Sequence, residues 1–205
     1  MTHLIRCRAA VSEIATLFGA RPDPDLTWLP TIWPGEKAIV VTRGTEGRHL
    51  RALPWGLPQD PISEARGDRP RTTLFAREIA GDSRAPLGLD LLERCLITVE
   101  DFAYPASETG HRTRSWFGLW DVPICAWAGL CLADPATGGF AGLLTAANAR
   151  AEPVSRTMPI VLPPTQWEAW LAGAALHALD TAYDSDAFYL ERTPELWASG
   201  RLDLD

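Results

Sequence analysis

Apolar residues along the chain fall into short runs set off by Gly, Pro, Asp and Asn, and helical spacing is confined to few places. Val11, Ile14, Leu17 and Phe18 share one helical face, and Gly19 is placed to close that helix. Ala38-Ile39-Val40-Val41-Thr42 and His49-Leu50-Arg51-Ala52-Leu53 read as strands, and the intervening Gly44-Thr45-Glu46-Gly47 predicts a hairpin. Asp60 to Asp90, rich in Pro, Gly, Asp and Arg, reads as an irregular excursion with at most one short helix, near Thr73 to Ala80. Further strands are expected at Leu96 to Val99, Ser115 to Trp120, Cys125 to Leu132, Phe140 to Thr145 and Met158 to Leu162. The last leads into a helix with Trp167, Trp170 and Leu171 at i, i+3 and i+4.

Many short strands joined by turns predict an α+β fold that is β-rich and antiparallel, with a barrel-like sheet core and peripheral helices. Residues 1–173 are expected to form the domain. The less patterned residues 174–205 are expected to be an acidic C-terminal extension, docked or partly disordered. No apolar run approaches the ~20 residues needed to span a bilayer. The N-terminus lacks a basic region followed by an apolar core, so the expected location is the cytoplasm.

Charge changes the picture locally. The net charge of -7 argues against a non-specific nucleic-acid binder. Residues 174–205 hold seven acids and two arginines, while the rest is nearly balanced. Between Arg43 and Arg84 eight arginines face six acids, and Arg51, Arg66, Arg69, Arg71 and Arg77 are either a local anion-binding face or a solvated mixed-charge surface. Cys7, Cys95, Cys125 and Cys131 form no C-x-x-C pair and lie in or beside apolar runs, which predicts buried free thiols. The four histidines are scattered, so no metal site or other cofactor is expected. Trp116, Trp120, Trp127, Trp167 and Trp170 are expected in the core.

Several segments, in order, resemble the SOS-response-associated peptidase (SRAP) family. They are Met1-x-x-Leu4-x-Arg6 with Glu13-Ile14-Ala15-x-Leu17-Phe18-Gly19, Trp33-Pro34-Gly35 before a Val-Val strand, and Trp55-Gly56-Leu57-Pro58. Glu64-Ala65-Arg66-x-Asp68, Arg94-Cys95-Leu96-Ile97 and Ala128-Gly129-Leu130 follow. The late block, Thr145-x-Ala147-Asn148-Ala149 with Pro153 and Met158-Pro159-Ile160-Val161-Leu162, keeps the family spacing. Asn148-Ala149-Arg150-Ala151-Glu152 also spells a motif that holds the family's catalytic Asn, but it lies in the late block and is not given that role.

The resemblance implies a specific chemistry. Family members expose a cysteine at position 2, whose α-amine attacks the aldehyde of an abasic site in single-stranded DNA and whose thiol closes a thiazolidine. An Asn, a Glu and a His assist. Here Thr2 stands at the cysteine position, Glu64 replaces the Asn, Tyr104 stands where GFYEW has its Glu, and Ser155 replaces the His of HDRMP. Four substitutions together imply a degenerate catalytic site. An attacking amine must be unprotonated, and an α-amine titrates near pH 8. Loss of water from the adduct needs a general acid. A sulfur nucleophile closes the ring well.

Three functional readings stay open on the sequence. The first is a catalytically degenerate SRAP-like protein that binds single-stranded or abasic-site DNA, or regulates active relatives. The resemblance gives Trp55 and Arg66, with Arg51, as candidate DNA contacts and Met158 and Pro159 as shaping the pocket floor. Core packing is the competing reading of Trp55. The second is an active enzyme that forms a Schiff base through the Thr2 α-amine. The third is a protein-interaction module using the old cleft and the acidic extension. Cys7 as a displaced nucleophile would lie five residues out of register with the first helix.

Overall fold

The structure is a computed structural model; it describes residues 4–59, 65–76, 91–106, 112–134, 137–174 and 183–198. Of the expected site residues, Thr2 and Glu64 lie outside these.

The hairpin forms as expected from β4 (Lys37–Gly44) and β5 (Gly47–Pro54), which pair in full register from Lys37 opposite Pro54 to Gly44 opposite Gly47. Gly47 takes a positive φ of 118, which a side chain would resist. The centre of the larger sheet is β7 (Glu93–Val99) against β10 (Cys125–Leu132) and β11 (Gly139–Ala146). Seven of the eight residues of β10 are buried, which is why its sequence reads as an unbroken apolar run rather than an alternation. Small residues make room for one large one: a Cβ at Gly142 would overlap the Trp127 ring. Trp127 in turn donates its indole N–H to the Leu143 carbonyl, 2.7 Å away.

The smaller sheet runs β14 (Phe188–Leu196), β9 (Thr113–Leu119), β8 (Asp101–Ala106), β1 (Leu4–Arg6), β3 (Thr31–Ile32). The larger holds β12 (Thr157–Pro159), β11, β10, β7, β4, β5 and β2 (Ala20–Pro22) in that order, with β13 (Val161–Leu162) on β10 and β6 (Thr73–Phe75) on β11. Pairing is antiparallel except for β2 with β5 and β6 with β11. The β-rich antiparallel expectation therefore holds, but the sheets follow open paths and do not close into a barrel. Helix α1 (Val11–Phe18) buries Ile14 and Phe18 and ends at Gly19 in the left-handed region. Helix α2 (Pro164–Leu171) buries Trp167, Trp170 and Leu171 and stacks Trp167 on Phe18 at 4.3 Å.

Three expectations need correction. Thr73–Phe75 is a strand, because it finds a parallel partner in Gly142 to Leu144; Ala76 after it is helical, and Arg77 to Ala80 of the expected helix lie outside the described residues. The run Met158 to Leu162 is two strands rather than one. It leaves β11 after Pro159 and joins β10 from Val161, while Ile160 bridges them by donating to Leu143 and accepting from Ala128. Trp120 is 68% exposed rather than in the core. The strand β14 falls within the acid-rich stretch and pairs along β9, with Phe188 buried. Its Glu191 and Glu195 face Arg6 at 3.7 Å and Arg114 at 2.7 Å.

Candidate functional site

Tyr104 comes from β8 in the smaller sheet and Ser155 from the loop before β12 in the larger one, yet both hydroxyls converge on one atom. Tyr104 donates to the Thr157 carbonyl oxygen at 2.6 Å, and Ser155 donates to the same oxygen at 2.8 Å. The Ser155 oxygen also accepts from the Thr157 N–H at 3.2 Å. Tyr104 is 1% exposed, with its ring edge-on to Phe102 and Phe117. A carbonyl oxygen has two lone pairs, so Thr157 satisfies both donors.

The loop that delivers Ser155 is set by Asn148. Its side-chain oxygen accepts from the N–H groups of Arg150 and Ala151, each at 3.1 Å, and its backbone carbonyl accepts from Ala151 and Glu152. This is the local Asn-type turn that competes with extended structure. Asn148 thus shapes the turn that brings the chain back to pair Thr157 with Ala146. Behind it, Met158 and Pro159 are buried, and Met158 sulfur lies 3.3 Å from the Asn148 N–H.

On the other side of Tyr104 the chain enters the sheet at β1, with Leu4 opposite Ala103 and Ile5 opposite Phe102. Leu4, Ala103, Trp33 and Trp116 form a small apolar cluster on this face, and Trp197 packs edge-on against Trp33 at 5.4 Å.

Trp55 takes the core reading. It is fully buried, its ring meets Trp127 edge-on and stacks on Phe140, and its N–H donates to Thr72 at 2.8 Å. The expected base platform is thereby corrected: the ring has no free face for a base. What the Trp55-Gly56-Leu57-Pro58 motif presents outward is Gly56 and the Pro58 ring. The motif lines a cleft of about 240 Å³ with Gly35, Pro70 and Gly138. Gly56 and Gly35 both have positive φ, 155 and 94, and a Cβ on Gly56 would stand 2.9 Å from Pro70. Arg51 is tied down: it donates to the Ala133 carbonyl at 2.7 Å and lies 3.8 Å from Asp23. Arg66 is exposed, just before Gly67.

All four cysteines are buried and free. Burial pushes the Cys7 thiol up to about 11 and the Cys125 thiol up to about 12, and raises Cys95 as well. Cys7, fully buried and with its thiol held protonated, is poorly placed to act as a nucleophile. Among the described residues no group of three His, Cys, Asp or Glu side chains is gathered that would hold a metal, and no helix is long and apolar enough to cross a membrane.

The feature that sequence reasoning missed is the Asp101 pair. Asp101, 1% exposed, receives Arg6 through two nitrogens at 2.7 and 2.8 Å, and Arg6 lies over the Trp116 ring at 3.8 Å. Burial pushes the Asp101 carboxyl up, and Arg6 and Arg8 pull it back only in part. No strand was read at Asp101 to Ala106, so the pairing of β1 with β8 that brings Arg6 opposite Asp101 had no signal.

Comparison with known proteins agrees with this architecture. A crystal structure of a protein from Bordetella bronchiseptica is 15% identical with a TM-score of 0.78, covering 93% of this chain and 99% of that one. One from Bacteroides thetaiotaomicron is 16% identical with a TM-score of 0.73, covering 93% and 91%. A phage-related protein, also from Bordetella bronchiseptica, is 17% identical with a TM-score of 0.69, covering 93% of each chain. At such identities the likeness speaks for the fold alone. No curated protein is similar enough to register as a match. The model of the family described as SOS response associated peptidase matches residues 4–192, almost the whole described chain, and the chain belongs to that family.

Proposed function

We propose that this SRAP protein has lost the family's crosslinking reaction and binds single-stranded or abasic-site DNA without forming a durable thiazolidine. The observation that carries the reading is the shared carbonyl. The side chains at two of the four family positions, Tyr104 and Ser155, spend their hydroxyl protons on the Thr157 backbone oxygen. Phenols and aliphatic hydroxyls are poor general acids at neutral pH, and a donor already committed to a buried carbonyl is poorer still. At the remaining positions Thr2 offers a hydroxyl where ring closure calls for sulfur, and Glu64 a carboxylate where the family has an amide. A hydroxyl-closed ring is the weaker, more reversible adduct.

Retained binding is supported by the intact scaffold around these positions. Leu4 pairs with Ala103, the neighbour of Tyr104. Arg66, exposed just before Gly67, is the phosphate contact of choice. With a net charge of -7, affinity rests on such local contacts rather than on the overall field.

The test is a single-stranded oligonucleotide with one abasic site, mixed with the full chain with and without borohydride and run on a denaturing gel. The expected result is no shifted band in the untreated lane, with anisotropy showing single strand preferred over duplex. A heat-stable band without borohydride would overturn the loss of crosslinking. A band that needs borohydride and vanishes when the α-amine is blocked would move the assignment to Schiff-base chemistry at Thr2. Equal anisotropy for single strand and duplex would remove the DNA assignment.

A further inference from the structure

A cleft of about 620 Å³ takes no part in the site above: neither Tyr104, Ser155 nor the Trp55 motif lines it. It lies where α1, the loop after β1, the β7–β8 corner, the β9–β10 connection and β14 meet. We propose that it is a second ligand site, shaped for a planar N–H-donating cation, the guanidinium group.

The floor supplies one acceptor that the fold leaves unused. Asp101 Oδ2 is taken by Arg6 and lies 3.8 Å from Arg8, whereas Oδ1 has no hydrogen-bond partner although Asp101 is 1% exposed. A buried carboxylate oxygen without a donor is costly and calls for one. Gly118 makes room for the Tyr189 phenol beside it. A Cβ there would stand 2.8 Å from Asp101 Oδ1, 2.7 Å from Tyr189 Cζ and 2.5 Å from the Tyr189 hydroxyl. The phenol tip therefore lies over the same glycine as Oδ1, and both Asp101 and Tyr189 line the cleft.

The walls supply a flat apolar face. Trp120 is 68% exposed, beside Tyr189 at 5.3 Å, and Leu17 on the α1 side is 43% exposed. A solvated tryptophan next to an unpaired buried acceptor selects a ligand that stacks and donates together. The charges lining the cleft, Arg8 against Glu13, Glu100 and Asp101, favour a cation and repel an anion. Glu100 is already held by the Arg8 side chain and the N–H groups of Arg8 and Ala9, and Glu13 by the Ala10 N–H. They supply field, and Asp101 supplies the contact. An ammonium group meets the charge but cannot stack; a guanidinium does both.

The source of the guanidinium is either a small molecule or an arginine on a peptide, and the experiment separates them. The full chain is titrated by calorimetry with arginine amide, lysine amide and a Gly-Arg-Gly peptide, with the indole N–H shift of Trp120 as a second readout. Arginine amide is expected to saturate and to bind about fivefold or more tightly than lysine amide. Trp120→Ala weakens it about fivefold or more, Trp120→Phe less, and Asp101→Asn about tenfold. Tighter binding of the peptide assigns a protein source, and equal binding a small molecule. No saturation with arginine amide by about 10 mM overturns the proposal, as does equal affinity for lysine amide or unchanged binding by Trp120→Ala. Trp120 is exposed, so its variants test the site even if Asp101→Asn fails to fold. None of these readouts involves DNA, so they succeed or fail independently of the abasic-site assay.

Discussion

Tyr104 and Asp101 sit three residues apart on β8, and the fold treats them in opposite ways. Tyr104, at a position proposed above to match one of the family's catalytic ones, is closed off: its ring is packed and its hydroxyl is satisfied by Thr157. Asp101 is held from one side by Arg6 and keeps an oxygen in reserve beside a cleft. One strand thus carries a hydroxyl that folding has spent and a carboxylate oxygen that it has left over. Reactivity depends on what each side chain has left over after folding, and residue type alone does not reveal it.

The sharpest way to break this contrast is to remove the cation that holds Asp101. Arg6→Ala leaves a buried carboxylate with only Arg8, 3.8 Å away, and strips the stacking on Trp116; the expected cost is about 3 kcal/mol in denaturant unfolding at neutral pH. The penalty should shrink on acidification. Burial has already raised Asp101 above its unfolded value, so the folded state takes up a proton first and this group's contribution to stability rises as pH falls. Without Arg6 the carboxyl rises further, so the difference between variant and parent narrows through mildly acidic pH. A gap that widened instead would mean that Asp101 stays charged in the variant.

Tyr104→Phe should cost about 1 kcal/mol, since Thr157 keeps Ser155 as a donor. It should leave any DNA affinity unchanged, because the hydroxyl is spent internally. A large fall in DNA binding at unaltered stability would return Tyr104 to the working site. Ser155→Ala should cost about 0.5 kcal/mol, and the double variant somewhat more than the sum, since the carbonyl then loses both donors. Trp120→Ala should change the thermal midpoint least, within about 0.5 kcal/mol in stability, as expected for an exposed side chain. If it destabilises strongly, Trp120 is a packing residue and the cleft loses its platform.

The elements legible in the sequence were those whose partners are close or whose pattern is extreme. The β4–β5 hairpin followed from its two glycines, β10 from its unbroken apolar run, and α1 from four residues on one face and a terminal glycine. What escaped depends on distant pairing. Thr73–Phe75 carries no strand pattern of its own and is extended because β11 accepts it. Asp101–Ala106, with its proline and acid, reads poorly as a strand, yet it sits between β1 and β9. Trp120 followed an apolar strand and took its neighbours' reading, although it lies just past the end of β9. The motif alignment found Tyr104 and Ser155. That their hydroxyls meet on one backbone oxygen is a fact of the seam between two sheets, which spacing cannot express.

The sheet order β14-β9-β8-β1-β3 has a consequence for biosynthesis. The strand made last among the described ones lies on the outer edge of β9, so during translation that edge stays bare until residues 188–196 have left the ribosome. A nascent chain halted before them would display an open backbone ladder ready to join a second copy. The acid-rich strand β14 is therefore the latch that covers this edge.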